Sequence, residues 1–314
     1  MPGLIVIALG GNALQQGKGP ADSSSQLAVI HHTAAQLVRI LKTGQRLAIV
    51  HGNGPQVGRI VLQNEAAAHI TPAMPFDVCG AMSQGMIGYH IQQALGELMA
   101  AEGLSGQPVT LVTQVRVDGE DPAFRHPTKP IGPFYTREES EQFHREKGYT
   151  FKEDAGRGWR RVVASPLPLE IVELEQVKAL LAAGFVPITA GGGGIPVARD
   201  GAGLRGVAAV IDKDLAAWRL AEGLQADTLL ILTEVEHACL RFGKPDQRAL
   251  HQVSAKEMRA WLEEGHFAAG SMGPKVDAAL RFVEGGPNRR AVITRLDLAL
   301  EGLEGTRGTE IIPE

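Results

Sequence analysis

Short apolar, β-branched runs recur along the chain: Leu4–Leu9, Arg46–Val50, Val109–Val112, Val186–Thr189, Thr228–Leu232 and Ala291–Thr294. They lack the apolar/polar alternation of a half-wet sheet, so both faces of the strands they predict must be covered. Helical periodicity separates them. Ser23-Ser24-Ser25 can cap a helix whose Leu27, Ile30, Ala34, Leu37, Val38 and Leu41 share one face, with Gly44 closing it. Similar patterns run over 81–101, 169–183, 213–222 and 274–283. Strands interleaved with helices predict an α/β fold with a mainly parallel sheet buried on both sides.

Residues 115–165 break this rhythm. They hold seven of the fifteen aromatic residues (Phe124, Phe134, Tyr135, Phe143, Tyr149, Phe151 and Trp159). An inserted subdomain with its own small core fits better than a structureless loop of that length, which is uncommon in a compact domain. A long surface loop is the alternative.

At 314 residues, with 44% hydrophobic and 21% charged positions, the chain is an ordinary globular sequence with room for one large α/β domain or two modest ones. A formal charge of -4 argues against nucleic acid as a partner. Cys79 and Cys239 have no CxxC spacing, so a disulfide framework is not expected and a reducing compartment fits. The apolar start, Leu4–Leu9, is one strand long, has no basic leader and runs into Gly10-Gly11-Asn12. It reads as a buried strand rather than a signal peptide, and no apolar run nears the roughly 20 residues that span a bilayer. No membrane association and a cytoplasmic location are the expectations.

Three glycine-rich segments follow predicted strands: Gly10-Gly11-Asn12, His51-Gly52-Asn53-Gly54-Pro55-Gln56-Val57-Gly58, and Gly191-Gly192-Gly193-Gly194-Ile195-Pro196. In an open α/β sheet ligands bind outside the carboxyl ends of the strands, where glycine lets backbone N–H groups reach phosphate oxygens. One such turn is usually only a tight connection. Three of them, one with four consecutive glycines, point to a polyanion. No GxxxxGK[ST], no strand-to-helix GxGxxG and no protein-kinase HRD or DFG set is present, so a nucleotide would be held by another scheme.

Three lysines stand in unusual surroundings. Lys275 opens a predicted helix, where a cation opposes the dipole unless it projects over a phosphate. Lys213 lies between Asp212 and Asp214, a setting that a solvated ion pair explains almost as well. Lys129 sits in a rigid Pro/Gly frame within the insert, which suggests a fixed projecting tip. Phosphoryl transfer needs this inventory, because its transition state spreads charge over oxygens and is stabilised mainly by positioning and electrostatics. An aspartate could hold the lysines. No paired histidines suggest a general base, and His51 is as readily a turn-stabilising residue.

The motifs ALGGNA (8–13), HGNGPQVG (51–58), Met82-Ser83-Gln84-Gly85, KPIGPFY (129–135), GGGGIPV (191–197), AVIDKDLAA (209–217) and GSMGPKV (270–276) resemble those of the carbamate kinases, in order and across nearly the whole chain. The resemblance implies one amino-acid-kinase-type domain over 1–314, a three-layer αβα sandwich of about eight strands with a small protruding subdomain, assembled as a homodimer. It implies an inserted lid near 115–165, an acceptor-binding half near 1–190 and a nucleotide-binding half near 191–314. The implied reaction is ATP + carbamate giving ADP + carbamoyl phosphate, reversibly, with Mg²⁺ held mainly by nucleotide phosphates and not by protein ligands. By the same likeness Lys129, Lys213 and Lys275 contact the transferred group and Asp214 organises the lysines. Gly10, Gly11, Asn12, Gly52, Asn53 and Gly54 cradle carbamate and the phosphoryl group. Gly191, Gly192, Gly193, Thr233, Glu234, Val235, Ser271 and Met272 are expected along the nucleotide. Cys79 reads as a packing residue near the acceptor. A kinase of another small carboxylate and a catalytically inactive nucleotide-binding sensor are the competing readings. The insert counts against the first and retention of all three lysines against the second.

Overall fold

The computed structural model describes residues 3–14, 22–153 and 156–314, and of Asn12 only the backbone. Its central sheet has eight strands in the order Gln252–Ser254, Thr309–Ile312, Arg290–Arg295, Thr228–Thr233, Leu4–Leu9, Arg46–His51, Val186–Ile188 and Pro108–Thr110. The last six are mutually parallel. The first two are parallel to each other and join the rest antiparallel, along Arg290–Arg295. At three and four residues these two strands are too short to leave a pattern in the sequence.

The strand Leu4–Leu9 shows why the apolar runs do not alternate. All six residues are buried. Ile5, Ile7 and Leu9 pack with Ile30, Leu37, Ile91 and Leu95 from the helices Ser23–Leu41 and Phe76–Ala101. Leu4, Val6 and Ala8 belong to the opposite layer, with Leu220 of the helix Lys213–Gly223 and Ala279 and Phe282 of the helix Met272–Glu284. Side chains still alternate between faces, but each face meets a helical layer, and each fully buried large aliphatic contributes about 1.5–3 kcal/mol.

Local chemistry departs from the sequence expectation at three places. The first helix is capped by Asp22, not by the serines after it: Asp22 Oδ1 accepts from the Ser25 N–H at 2.8 Å. The segment expected to be helical from 169 first makes a short strand, Glu170–Ile171, against Val115 and Arg116, and the helix begins only at Leu174. The apolar run 109–112 leaves the sheet after Thr110, and the Thr113 carbonyl turns away to accept from the Ile195 N–H at 2.9 Å. Two helices, Gly54–Ala66 and Ala255–Glu263, were not expected as separate elements.

The aromatic-rich segment forms a three-stranded antiparallel sheet, Lys129–Tyr135, Trp159–Val163 and Thr150–Glu153, with the helix Arg137–Lys147. Tyr135 meets Phe143 and Phe151 edge-on at centroid distances of 5.5 and 5.4 Å. The strand Gln114–Arg116 belongs elsewhere, in a four-stranded sheet with Ile195–Asp200, Gly203–Gly206 and Glu170–Ile171. The three-stranded unit rests on the helix Gly54–Ala66. There Gly58 meets Gly132 so closely that a Cβ on Gly58 would stand 2.3 Å from the Gly132 Cα. Gly132, at φ +69°, also marks the irregularity in its own strand pairing. Two turns further along the helix, Glu65 accepts from Tyr149 Oη (2.6 Å) and Lys147 Nζ (2.9 Å). Arg161 stacks 3.4 Å over the Tyr149 ring.

Among the described residues no helix is long and apolar enough to cross a membrane. Cys79 and Cys239 are free, buried thiols.

Candidate functional site

Parallel pairing sets the loops after Leu9, His51, Ile188 and Thr233 side by side at one edge of the sheet. Close packing there explains most of the glycines. A Cβ on Gly10 would lie 2.8 Å from the Leu232 carbonyl oxygen. In the four-glycine turn a Cβ on Gly191 would meet His51 Nε2 at 2.3 Å, one on Gly192 the Asn53 amide at 2.1 Å, and one on Gly193 the Ile211 carbonyl at 2.1 Å. Gly192, Gly193 and Gly194 also have φ of +67°, +91° and +86°, which side chains rarely adopt. Gln84 pins the same turn: its Nε2 donates to the Gly191 and Thr113 carbonyls, and its Oε1 accepts from the Thr113 N–H. Ser83 fixes the neighbouring turn by accepting from Asn53 Nδ2 at 2.8 Å.

Two adjoining cavities open among these loops. The larger, about 470 Å³, is walled by Thr233, Glu234, Val235 and Met272 with the apolar Phe267 and Phe242. The smaller, about 190 Å³, is walled by Gly52, Asn53, Gly54, Lys129, Asp212 and Asp214. Gly11, Lys213, Gly270, Ser271 and Lys275 line both. Thr233, Glu234, Val235, Ser271 and Met272, expected along the nucleotide, are brought together on the wall of the larger cavity. Gly191, Gly192 and Gly193 are not gathered with them. None of them lines the larger cavity, and Gly192 lines the smaller one, because the four-glycine turn packs against His51, Asn53 and Ile211. Gly10 lines the larger cavity and Gly11 both. The Asn12 side chain lies outside the described residues.

The lysines converge as the sequence suggested, but on two aspartates rather than one. Asp214, 2% exposed, accepts from Lys213 Nζ at 2.5 Å and from Lys275 Nζ at 2.9 Å. Lys129 reaches across from the insert to Asp212 Oδ2 at 2.5 Å, while Asp212 Oδ1 caps the helix Lys213–Gly223 through the Asp214 N–H at 2.9 Å. Asp212 thus ties the insert to the helix that bears the other pair. The sequence signal for it was present, an aspartate one residue before a helical pattern. Three lysines face two aspartates, with Glu234 a third carboxylate in the wall of the larger cavity, and the N-terminal ends of the helices Gly54–Ala66 and Met272–Glu284 add positive potential.

Burial shapes the protonation of these groups. Desolvation works to raise the Asp214 carboxyl, but Lys213 and Lys275 outweigh it and hold the group down at about 2. Burial lowers the Lys213 ammonium, and Asp214 only partly opposes this. For Lys275 the attraction of Asp214 overcomes burial and the net direction is upward. His51 is pushed down to about 4 by burial, with its Nδ1 2.8 Å from the Gly52 carbonyl. Because a carbonyl only accepts, Nδ1 carries the proton. His51 is a neutral turn residue. Cys79 packs with Val57 and Ile60 and lines neither of the two cavities.

The model of the amino acid kinase family matches residues 3–295. The chain belongs to that family. It is 50% identical over 311 residues to the carbamate kinase of Clostridium perfringens, covering 98% of this chain and 99% of that one. It is 52% identical over 310 residues to the carbamate kinase-like protein YqeA of Escherichia coli, covering 98% of each. A solved structure of the carbamate kinase from Giardia lamblia bound to AMP-PNP superposes with a TM-score of 0.93 at 46% identity, covering 100% of this chain and 99% of that one. Within the family, this chain is a phosphotransferase of the carbamate kinase type.

Proposed function

We infer that the chain transfers a phosphoryl group reversibly between ATP and carbamate, with the nucleotide in the larger cavity and the carbamate or carbamoyl group in the smaller. The observation that carries this reading is the shared wall. Lys213 and Lys275 line both cavities and meet on one buried aspartate, so they stand where a group passing between the two would be flanked by fixed positive charge. The Giardia relative, solved with AMP-PNP, supports a nucleotide in the larger cavity.

The chemistry follows from the placement. Carbamate oxygen is already anionic at neutral pH, so attack needs no base, and His51 is neutral, turned to Gly52 and outside both cavities. The first-turn N–H groups of the helix Gly54–Ala66 face an anion in the smaller cavity. Lys275 and Lys213 stabilise charge on the moving phosphoryl oxygens, and Lys129 adds charge from the acceptor side when the insert is docked. Transfer is direct and in-line, with no covalent intermediate. Mg²⁺ would be carried by nucleotide phosphates and water, since Asp212 and Asp214 already accept from lysines. Lys129 on its tip makes residues 129–163 a lid that closes over the acceptor. Homodimerisation belongs to the same reading, with Val78, Met82 and Tyr89 as exposed apolar positions on one long helix.

The test is ATP formation from ADP, Mg²⁺ and fresh carbamoyl phosphate, with acetyl phosphate beside it. A strong preference for carbamoyl phosphate is expected. A folded, ADP-binding protein that makes no ATP from it would overturn the reading.

A further inference from the structure

The charged side chains and helix N–H groups that wall the smaller cavity are donors or engaged acceptors, and the exposed Ser271 hydroxyl can act as either. Lys129, Lys213 and Lys275 donate, as do the N–H groups at the start of the helix Gly54–Ala66. The carboxylates of Asp212 and Asp214 already accept from those lysines and from the Asp214 N–H. Asn53 is held to Ser83 through its amide nitrogen and wedged against Gly192.

Gln56 is different. It lies in the first turn of the helix, lines the same cavity and is 2% exposed, yet its Oε1 is buried with no hydrogen-bond partner. A glutamine there ordinarily reaches back to the N–H of the capping residue, and the Gly54–Ala66 helix makes no side-chain cap bond. A buried oxygen without a donor is destabilising, and a ligand that supplies the donor relieves it.

We propose that Gln56 is the residue that reads the amino group of the acceptor, accepting an N–H from carbamate or carbamoyl phosphate. The inference rests on the carbamate reading above. Among small anionic acceptors carbamate pairs a carboxylate with an NH₂ group. The carboxylate has donors in plenty here, and Gln56 supplies the acceptor that the NH₂ needs. A simple carboxylate satisfies the donors and leaves the Gln56 oxygen bare. Gln56 is therefore a specificity-determining residue, and discrimination falls on it without any change in the lysines.

The experiment compares Gln56→Met with the parent on carbamoyl phosphate and acetyl phosphate, each with saturating ADP and Mg²⁺. Acetyl phosphate is read as kcat/KM where it turns over and otherwise as a competitive inhibition constant. The concentration of competent sites in each preparation is first set by ADP titration, so that kcat/KM refers only to folded protein. We expect kcat/KM for carbamoyl phosphate to fall about 10-fold, as for one lost neutral hydrogen bond, while the acetyl phosphate constant and ADP affinity stay unchanged. Parallel losses on both phosphates would mean that Gln56 only shapes the cavity, and no loss on either would mean that it does not touch the acceptor. Both overturn the proposal. Failure of the parent protein to make ATP from carbamoyl phosphate would instead sink the underlying function, and it would appear before any substitution is made.

Discussion

The positive charge of the site comes from two differently built regions. Lys213 and Lys275 start helices that pack on the central sheet, and they share the buried Asp214. Lys129 stands on a separate three-stranded unit and reaches the body through Asp212, the Gly58–Gly132 contact and the Glu65 cluster. The first pair is fixed by the fold. The third lysine is fixed only while its unit is docked. On the proposed assignment of the two cavities, positioning is permanent on the nucleotide side and conditional on the acceptor side. An arrangement of that kind admits the acceptor and then completes its charge environment.

The largest predicted effect falls on the fixed pair. Lys275→Ala should cut ATP formation about 10³-fold. It should also lower unfolding free energy by roughly 3–5 kcal/mol, because Asp214 loses one of two buried partners. Steady-state kinetics and urea melts read these together. Lys129→Ala should cost about 10²-fold in turnover but under about 1 kcal/mol in stability, as befits a partly exposed pair. Comparable destabilisation by the two substitutions would erase the distinction between fixed and docked halves.

Acid tests the fixed body separately. The folded value for His51, about 4, lies below the ordinary value of 6.5, so the unfolded chain takes up its proton first. Stability from this residue is complete above pH 6.5 and is lost as pH falls toward 4, amounting to about 2 kcal/mol by pH 5. Denaturation at pH 7 and pH 5 should show that slope, and His51→Asn should flatten it. An unchanged slope would place the acid sensitivity elsewhere. The mildest perturbation strikes the docking contact: Gly58→Ala puts a methyl into Gly132 and should lower turnover about 10-fold, with overpacking of about 1–3 kcal/mol. ADP binding by calorimetry should not change. Weakened ADP binding would show that the two regions are not independent.

Much of this was legible in the chain. Non-alternating apolar runs gave the parallel interior because both faces of those strands are covered. The oddity of a cation at a helix start gave Lys275, whereas Lys213, between two aspartates, read almost as well as a solvated ion pair. Other features had no local signature. Gln252–Ser254 and Thr309–Ile312 are too short to show a period, and the close packing of Gly191–Gly193 against His51, Asn53 and Ile211 exists only in the folded chain. Gly58 and Gly132 are 74 positions apart, and their contact exists only after both units fold. Asp212 could have been found as a helix cap, but its bond to Lys129 depends on tertiary structure.

The most direct test of the account is ADP affinity, measured by calorimetry beside carbamoyl-phosphate-dependent ATP formation, for Lys129→Ala and Lys275→Ala. Lys275 lines both cavities and Lys129 only the smaller one. Lys129→Ala should therefore lose turnover while ADP affinity stays within about 2-fold of the parent, and Lys275→Ala should lose both, each lost charge-assisted contact being worth about 1.5–3 kcal/mol. Equal loss of ADP affinity in the two variants, or full turnover in Lys129→Ala, would contradict a fixed nucleotide side completed by a docked acceptor side.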